Sequence, residues 1–326
     1  MKNKKSTDYL KDDHLSKGTR TYLQVLNAGD TPVESLSVPE ARKVLSDVQA
    51  SIETDLSGIE ESEKIITAGD HPLLLDIVRP AGKSGKLPVF LFIHGGGWVL
   101  GDFPTHKRLV RDLVVQSGYA CVFVNYTPSP EAKFPQAIDE IFAALQWVAH
   151  HGDEINVDGK RLAIVGNSAG GNMAIVTAML AKENRGPEIK GQILMWPVTD
   201  ASTDWKSYDL YGQQRFLTTP LMQWMFDQYL SEKDDRINPH ISPVQASTEE
   251  LRELPPTLIE VAENDILRDQ GEDLGRRLDE AGVKVTTIRF NGVIHDWGML
   301  NGFAELPETR SLILFSAAAL KDFLEN

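Results

Sequence analysis

Apolar positions are thinly spread over residues 1 to about 60, then gather into compact blocks with two alternating rhythms. The early part is polar and charged and predicts only short amphipathic helices. In "SVPEARKVLSDVQAS", Pro39 suits a first helical turn and Ser37 a cap. From about Lys64 the blocks "EKIITA", "PLLLDIVRP", "LPVFLFIH", "ACVFVN", "RLAIVG", "GQILMW", "PTLIEVA" and "KVTTIRF" predict strands. "LPVFLFIH" is a continuous apolar run of the kind covered on both faces. Between strands the spacing turns helical: "THKRLVRDLVVQSG", "FPQAIDEIFAALQWVAHH", "NMAIVTAMLAKEN" and "DQGEDLGRRLDEAG", with "ETRSLILFSAAALKDFLE" as a closing helix. In the second of these, Ile138, Ile141, Phe142, Leu145 and Val148 share one face. Strands alternating with helices of this length predict an α/β fold, a mostly parallel central sheet flanked by helices and joined by right-handed crossovers.

One stretch breaks the alternation. About sixty residues separate "GQILMW" from "PTLIEVA", where a simple crossover needs far fewer. The stretch is rich in Trp, Tyr, Phe and Met, and its clearest helix starts at Thr219-Pro220 and carries Leu221, Trp224, Met225 and Tyr229. Such a stripe serves packing or lines a substrate site. It predicts a helical cap over the sheet's C-terminal edge, where open sheets of this class bind ligands. The expected division is an N-terminal helical cap segment over 1–60 and a main domain over 61–326, with a cap insertion at about 201–247.

Composition narrows the partners. The 33 Lys and Arg against 47 Asp and Glu give a net charge of −14, which repels nucleic-acid backbones and anionic lipid. No apolar run approaches the roughly 20 residues needed to span a bilayer. The basic start, "MKNKKSTDYLKDDHLSKGTR", has no apolar stretch behind it and so does not read as a signal peptide. The lone Cys121 excludes an internal disulfide and a cysteine-based zinc site, and its place in "YACVFVNY" predicts an inert, buried thiol. The expected location is cytoplasmic; a homo-oligomer is left open.

The candidate chemistry begins at "VGNSAGGN". Gly166-Asn167-Ser168-Ala169-Gly170 fits the G-x-S-x-G nucleophile elbow, with an apolar strand before it and an amphipathic helix after it. A serine hydroxyl is a weak nucleophile and must be projected from a strained turn toward a base. Large side chains two residues to either side would collide with the neighbouring strand and helix. The helix N-terminus then aims N–H groups at the oxyanion formed when Ser168 attacks a carbonyl. Upstream, "LPVFLFIH" runs into His94-Gly95-Gly96-Gly97-Trp98. Three consecutive glycines weaken a chain entropically, so they predict a backbone that approaches something closely. Their N–H groups can complete an oxyanion hole with that of Ala169.

From about Lys64 to its C-terminus the chain resembles the hormone-sensitive-lipase-like branch of the α/β-hydrolase esterases. "HGGGW", "VNYTPSPEAKFPQAIDE" and "GNSAGGN" carry the resemblance. It implies an α/β-hydrolase fold and a serine carboxylesterase that needs no cofactor or metal. Its substrate would be a small ester, with a lean to short- and medium-chain acyl groups. It also implies Gly96 and Gly97, with Ala169, as oxyanion donors, while Gly95 serves the turn and His94 orders the loop. Three departures stand out: Asn167 where the family usually has aspartate, "YTPSPE" in place of its tyrosine-arginine-leucine-alanine-proline-glutamate run, and Asp296 where it usually has glycine.

In this fold the acid and then the histidine follow the serine. Only His240 and His295 lie beyond Ser168. His240 sits within the insertion, whereas His295 follows the last strand by a short loop that can swing its ring over the elbow, so His295 is the expected base. For the acid, "TLIEVAENDILRDQGEDL" offers Glu263, Asp265 and Asp269 just past a strand. The resemblance selects Asp265 and leaves Asp269 to cap the next helix. Asp296 reads as a surface or loop-ordering group, and His150-His151 as a helix end. An amidase or peptidase with the same triad is the alternative. A small-molecule receptor is a further one, since some relatives of that family became receptors by losing a triad member; here all three members are present.

Overall fold

The computed structural model describes residues 8–29, 31–231 and 236–325. Residues 1–7, the beginning of the expected N-terminal segment 1–60 and of the basic start, lie outside the described residues, as does residue 30. So do 232–235 of the expected insertion and the terminal Asn326.

Eight strands form one sheet: β1 (Ile59–Ala68), β2 (His71–Pro80), β3 (Leu87–Ile93), β4 (Ala120–Val124), β5 (Val157–Asn167), β6 (Gln192–Met195), β7 (Thr257–Asn264) and β8 (Val285–Ile294). Their order is β1-β2-β4-β3-β5-β6-β7-β8. β2 is antiparallel to both neighbours, and every pairing from β4 to β8 is parallel. Every predicted strand is present. β3 and β4 are buried almost throughout, as expected of strands covered on both faces. β1 begins at Ile59, two residues before the expected boundary of the main domain. Cys121 lies fully buried in β4, where desolvation raises its thiol pKa far up and keeps it inert.

The helices are α1 (Lys17–Leu26), α2 (Val38–Ala50), α3 (Phe103–Ser117), α4 (Gln136–His151), α5 (Ala169–Glu183), α6 (Lys206–Tyr211), α7 (Thr219–Tyr229), α8 (Thr248–Leu251), α9 (Arg268–Glu280) and α10 (Pro307–Glu325). In α2, Ser37 and Glu40 form a reciprocal capping box with Pro39 in the first turn. His150 and His151 close α4.

The N-terminal helices and the insertion converge over the C-terminal ends of the strands. Arg42 of α2 pairs bidentately with Glu131 and donates to the carbonyls of Val99 and Ser129. Ser16 N–H donates to the Gly292 carbonyl, which follows most of β8. α7 carries the aromatic stripe of the insertion. Tyr229 stacks on Trp98 with ring centroids 4.2 Å apart, and Phe226 lies 5.3 Å from the same ring. Tyr229 therefore packs on the glycine loop that ends in Trp98 and Met225 lies against Gly97 of that loop, whereas Leu221 lines a cavity beside Gly96 and Trp224 is half-buried.

Candidate active site

Ser168 stands at the junction of β5 and α5 with φ 54° and ψ −119°, a conformation L-residues rarely adopt. The turn is held by backbone hydrogen bonds on both sides: Ser168 N–H donates to the Met195 carbonyl, and Val198 N–H donates to the Ser168 carbonyl. A Cβ at Gly166 would overlap the Gly170 carbonyl, and one at Gly170 would overlap the Ile93 carbonyl of β3. The two glycines therefore let strand, helix and neighbouring strand approach closely enough to hold the serine outward.

The structure brings Ser168, His295 and Asp265 together from the ends of β5, β8 and β7. Ser168 Oγ donates to His295 Nε2 at 2.9 Å. His295 Nδ1 donates to Asp265 Oδ2 at 2.7 Å, and the other oxygen of Asp265 accepts the Leu267 N–H at 3.0 Å. A carboxylate only accepts, so this contact puts the proton on Nδ1 and leaves Nε2 free to take one from serine. The three residues are 4%, 2% and 1% exposed in the order serine, histidine, aspartate.

His240 is elsewhere, bonded to Glu183 at the far end of α5. Glu263 accepts from His14 and from the Gly292 N–H. Asp269 does not cap α9: the cap position is Leu267, with no side-chain bond. Its carboxylate instead accepts the Ser207 N–H at 2.8 Å in the first turn of α6 and pairs with Arg268. Burial of Arg268 against Tyr211 and the hold of α6 on this edge put Asp269 to that use. Asp269→Ala should accordingly lower unfolding free energy by about 1–3 kcal/mol, the usual cost of an orphaned buried N–H. Turnover per folded molecule should stay within about threefold. Loss of catalysis with unchanged melting would move the acid to Asp269.

The glycine loop follows β3. His94 is fully buried between Phe123 and Tyr126, stacked on both; desolvation pushes its pKa down to about 4, so the ring is neutral. Its Nδ1 donates to the Gly95 carbonyl at 2.8 Å, and Tyr126 donates to its carbonyl oxygen. Gly95 N–H is taken by Asn167 Oδ1. Among the described residues the N–H groups of Gly96, Gly97 and Ala169 have no protein acceptor. Gly96 and Gly97 have φ of 106° and 60°.

Asp296 is not at the surface. It is buried, accepts Trp196 Nε1–H at 2.7 Å and Asn167 Nδ2–H at 3.3 Å, and brings its second oxygen to 3.8 Å from His295 Nε2. The positive φ of 60° at Asp296 is the physical reason. Successive residues of an extended chain face opposite ways, and a left-handed residue breaks that alternation, so both His295 and its neighbour face inward. Burial lowers the His295 pKa, but the charges of Asp265 and Asp296 outweigh it, and the net shift is upward.

That direction sets the pH dependence. As a general base His295 would work only as neutral imidazole, so kcat/KM should rise with pH and its midpoint should lie above the ordinary value near 6.5. Asp296→Asn removes one of the two raising charges and should move the midpoint down. Rates for a short ester from pH 4 to 9 check this, with a Ser168→Ala blank subtracted. A profile flat or falling between pH 5 and 7 would contradict the assignment of His295.

A cavity of about 60 Å³ adjoins the site. Val44, Leu45 and Val48 of α2, Phe216 and Leu221 of the insertion, and Leu100 supply apolar walls, and Gly96 and Asp296 also line it. A much larger groove, about 1090 Å³, opens beside Thr257 and Val285 at the opposite ends of β7 and β8 and touches no residue of the constellation. Among the described residues no group of three or more His, Cys, Asp and Glu is placed to hold a metal ion, and no helix is long and apolar enough to cross a membrane.

Comparison with known proteins agrees with the fold. The model of the family described as "alpha/beta hydrolase fold" matches residues 90–299. The crystal structure of a thermostable esterase from Pseudomonas putida ECU1011 is 50% identical, with a TM-score of 0.95 over 96% of this chain and 98% of its own. A fungal esterase from Rhizomucor miehei is 35% identical, with a TM-score of 0.89 over 95% of this chain and 96% of its own. The ethyl acetate hydrolase of Pseudomonas putida is 31% identical over 301 residues, covering 89% of this chain and 94% of that protein. The chain belongs to the α/β-hydrolase family, in its hormone-sensitive-lipase-like esterase branch.

Proposed function

We propose that this carboxylic ester hydrolase works through a Ser168–His295–Asp265 triad and an acyl-serine intermediate, on esters of short- to medium-chain acids. The observation that carries the reading is the unbroken chain of hydrogen bonds from Ser168 Oγ through both nitrogens of His295 to Asp265. Ser168 Oγ attacks the ester carbonyl carbon while His295 Nε2 takes its proton. The carbonyl oxygen, now an anion, accepts from the N–H groups of Gly96, Gly97 and Ala169 at the N-terminus of α5. The intermediate collapses, the C–O bond to the alcohol breaks, and His295 returns the proton to the leaving oxygen. Water then attacks the acyl-serine with His295 again as base, releasing the acid and restoring the serine. Asp265 holds the productive tautomer and stabilises the imidazolium in both halves.

Limited space beside the site supports the shorter acyl chains. The cavity of about 60 Å³ is small, with room for a few waters or a short acyl group. Longer chains require α2 or the insertion to move, and these two segments, 1–60 and about 201–247, form the cap in this reading. The net charge of −14 favours a small neutral ester over nucleic acid as partner, and a single buried thiol suits a reducing, cytoplasmic setting.

The test is a series of p-nitrophenyl esters from acetate to palmitate, with the matching p-nitroanilides. The fastest members should lie between acetate and octanoate, and the anilides should be much slower. Anilides cleaved as fast as esters would make the protein an amidase, and preference for emulsified long-chain triglyceride would overturn the chain-length assignment.

A further inference from the structure

Behind the triad, two buried side chains that take no part in proton transfer meet. Asn167 precedes the nucleophile and Asp296 follows the base, and both are departures from the pattern the sequence resembles. Asn167 makes three contacts: Oδ1 accepts the Gly95 N–H at 2.9 Å, Nδ2 donates to Asp296 Oδ1 at 3.3 Å, and the same Nδ2 lies 3.4 Å from His106 Nε2. His106 of α3 is buried and held neutral by desolvation; its Nδ1 lies 3.2 Å from the Asp102 carbonyl and 3.0 Å from Thr105 Oγ1, whose own hydrogen goes to that same carbonyl, so both neighbours accept. Nδ1 is thus the donor and Nε2 the acceptor. Both hydrogens of the Asn167 amide and its oxygen are therefore matched. Turning the amide over would set N–H against the Gly95 N–H and oxygen against a carboxylate.

An amide alone meets these demands. Gly95 needs an acceptor, and Asp296 and His106 need donors; an ionised carboxylate at position 167 offers no donor at all. We propose that Asn167 is a positioning residue whose amide ties the oxyanion loop, through Gly95, to the loop carrying the base, through Asp296. An amide is required at 167 because a carboxylate stands at 296. The proposal rests on the triad reading above.

Asn167→Asp puts two carboxyls within hydrogen-bond reach in a buried site. Like charges so close cannot both ionise readily, and they share a proton at lower pH. Around them the titratable groups are His295 with Asp265 behind it, and the neutral His106. At pH 8 kcat should fall by about 10- to 100-fold, up to what the loss of one oxyanion donor costs, with KM changed by less than about threefold. The deficit should be smaller at pH 6. Asp296→Asn added to Asn167→Asp should bring kcat back to within about threefold of Asp296→Asn alone.

The experiment is this double-mutant cycle with a short p-nitrophenyl ester at pH 6 and 8, with melting curves for each variant. Unchanged kcat in Asn167→Asp, or no relief by Asp296→Asn, overturns the proposal. If Asn167→Asp does not fold, the double variant decides: folded and active supports the pairing, unfolded or inactive overturns it. Ser168→Ala assayed in parallel tests the triad reading separately, since turnover retained there would fail that reading whatever the Asn167 variants do.

Discussion

Ser168→Ala is expected to lower ester turnover by four or more powers of ten and to leave the fold intact. The substitution deletes one atom, the oxygen proposed to attack, and leaves the proposed oxyanion donors and the adjoining cavity in place. Those residual elements alone support only a small fraction of the rate in enzymes of this kind. Stability should barely change. Among the described residues the only side-chain hydrogen bond of Ser168 runs to His295 Nε2, and the backbone bonds that hold the elbow do not involve the side chain. Alanine at φ 54° carries the same strain as serine there. Initial rates on a short p-nitrophenyl ester and a melting curve decide the matter, and near-native turnover would displace Ser168 as the nucleophile.

Asp265→Asn should cost on the order of 10⁴ in turnover, with binding and folding little affected. The asparagine oxygen can keep the Leu267 N–H, so the local turn survives. Its amide, however, can donate to His295 Nδ1 and drive the imidazole proton to Nε2, the nitrogen that must accept from serine. The expected signature is a fall in kcat with KM nearly unchanged and melting within a degree or two. A loss below about tenfold would mean that another carboxylate orients the ring, and Asp296, 3.8 Å from Nε2, would be next to test.

Much of this site was legible in the chain because its parts are local. The elbow needs glycines at fixed offsets around one serine, and the loop after β3 needs backbone without side chains; both demands show as short motifs. His295 is the expected base by chain order, as the one histidine after the last strand. The roles of Asp269 and Asp296 were hidden because they depend on partners far away in sequence. Asp269 reads as a helix cap, yet it lies inside the first turn of α9 and its carboxylate is claimed by Ser207 of the insertion. Asp296 reads as an outward neighbour of His295, but a left-handed turn and the indole of Trp196 fold it inward. Helix periodicity likewise marked α7 but not its use; whether Tyr229 packs or lines substrate depends on Trp98, more than a hundred residues earlier.

The central claim is an acyl-enzyme on Ser168. It is tested most directly by reacting the protein with a fluorophosphonate and mapping the modified peptide by mass spectrometry while following ester hydrolysis. One label per chain, on the peptide holding Ser168, should appear in step with the loss of activity and be absent from Ser168→Ala. Labelling of another residue in step with that loss, or full activity in protein labelled at Ser168, would contradict it.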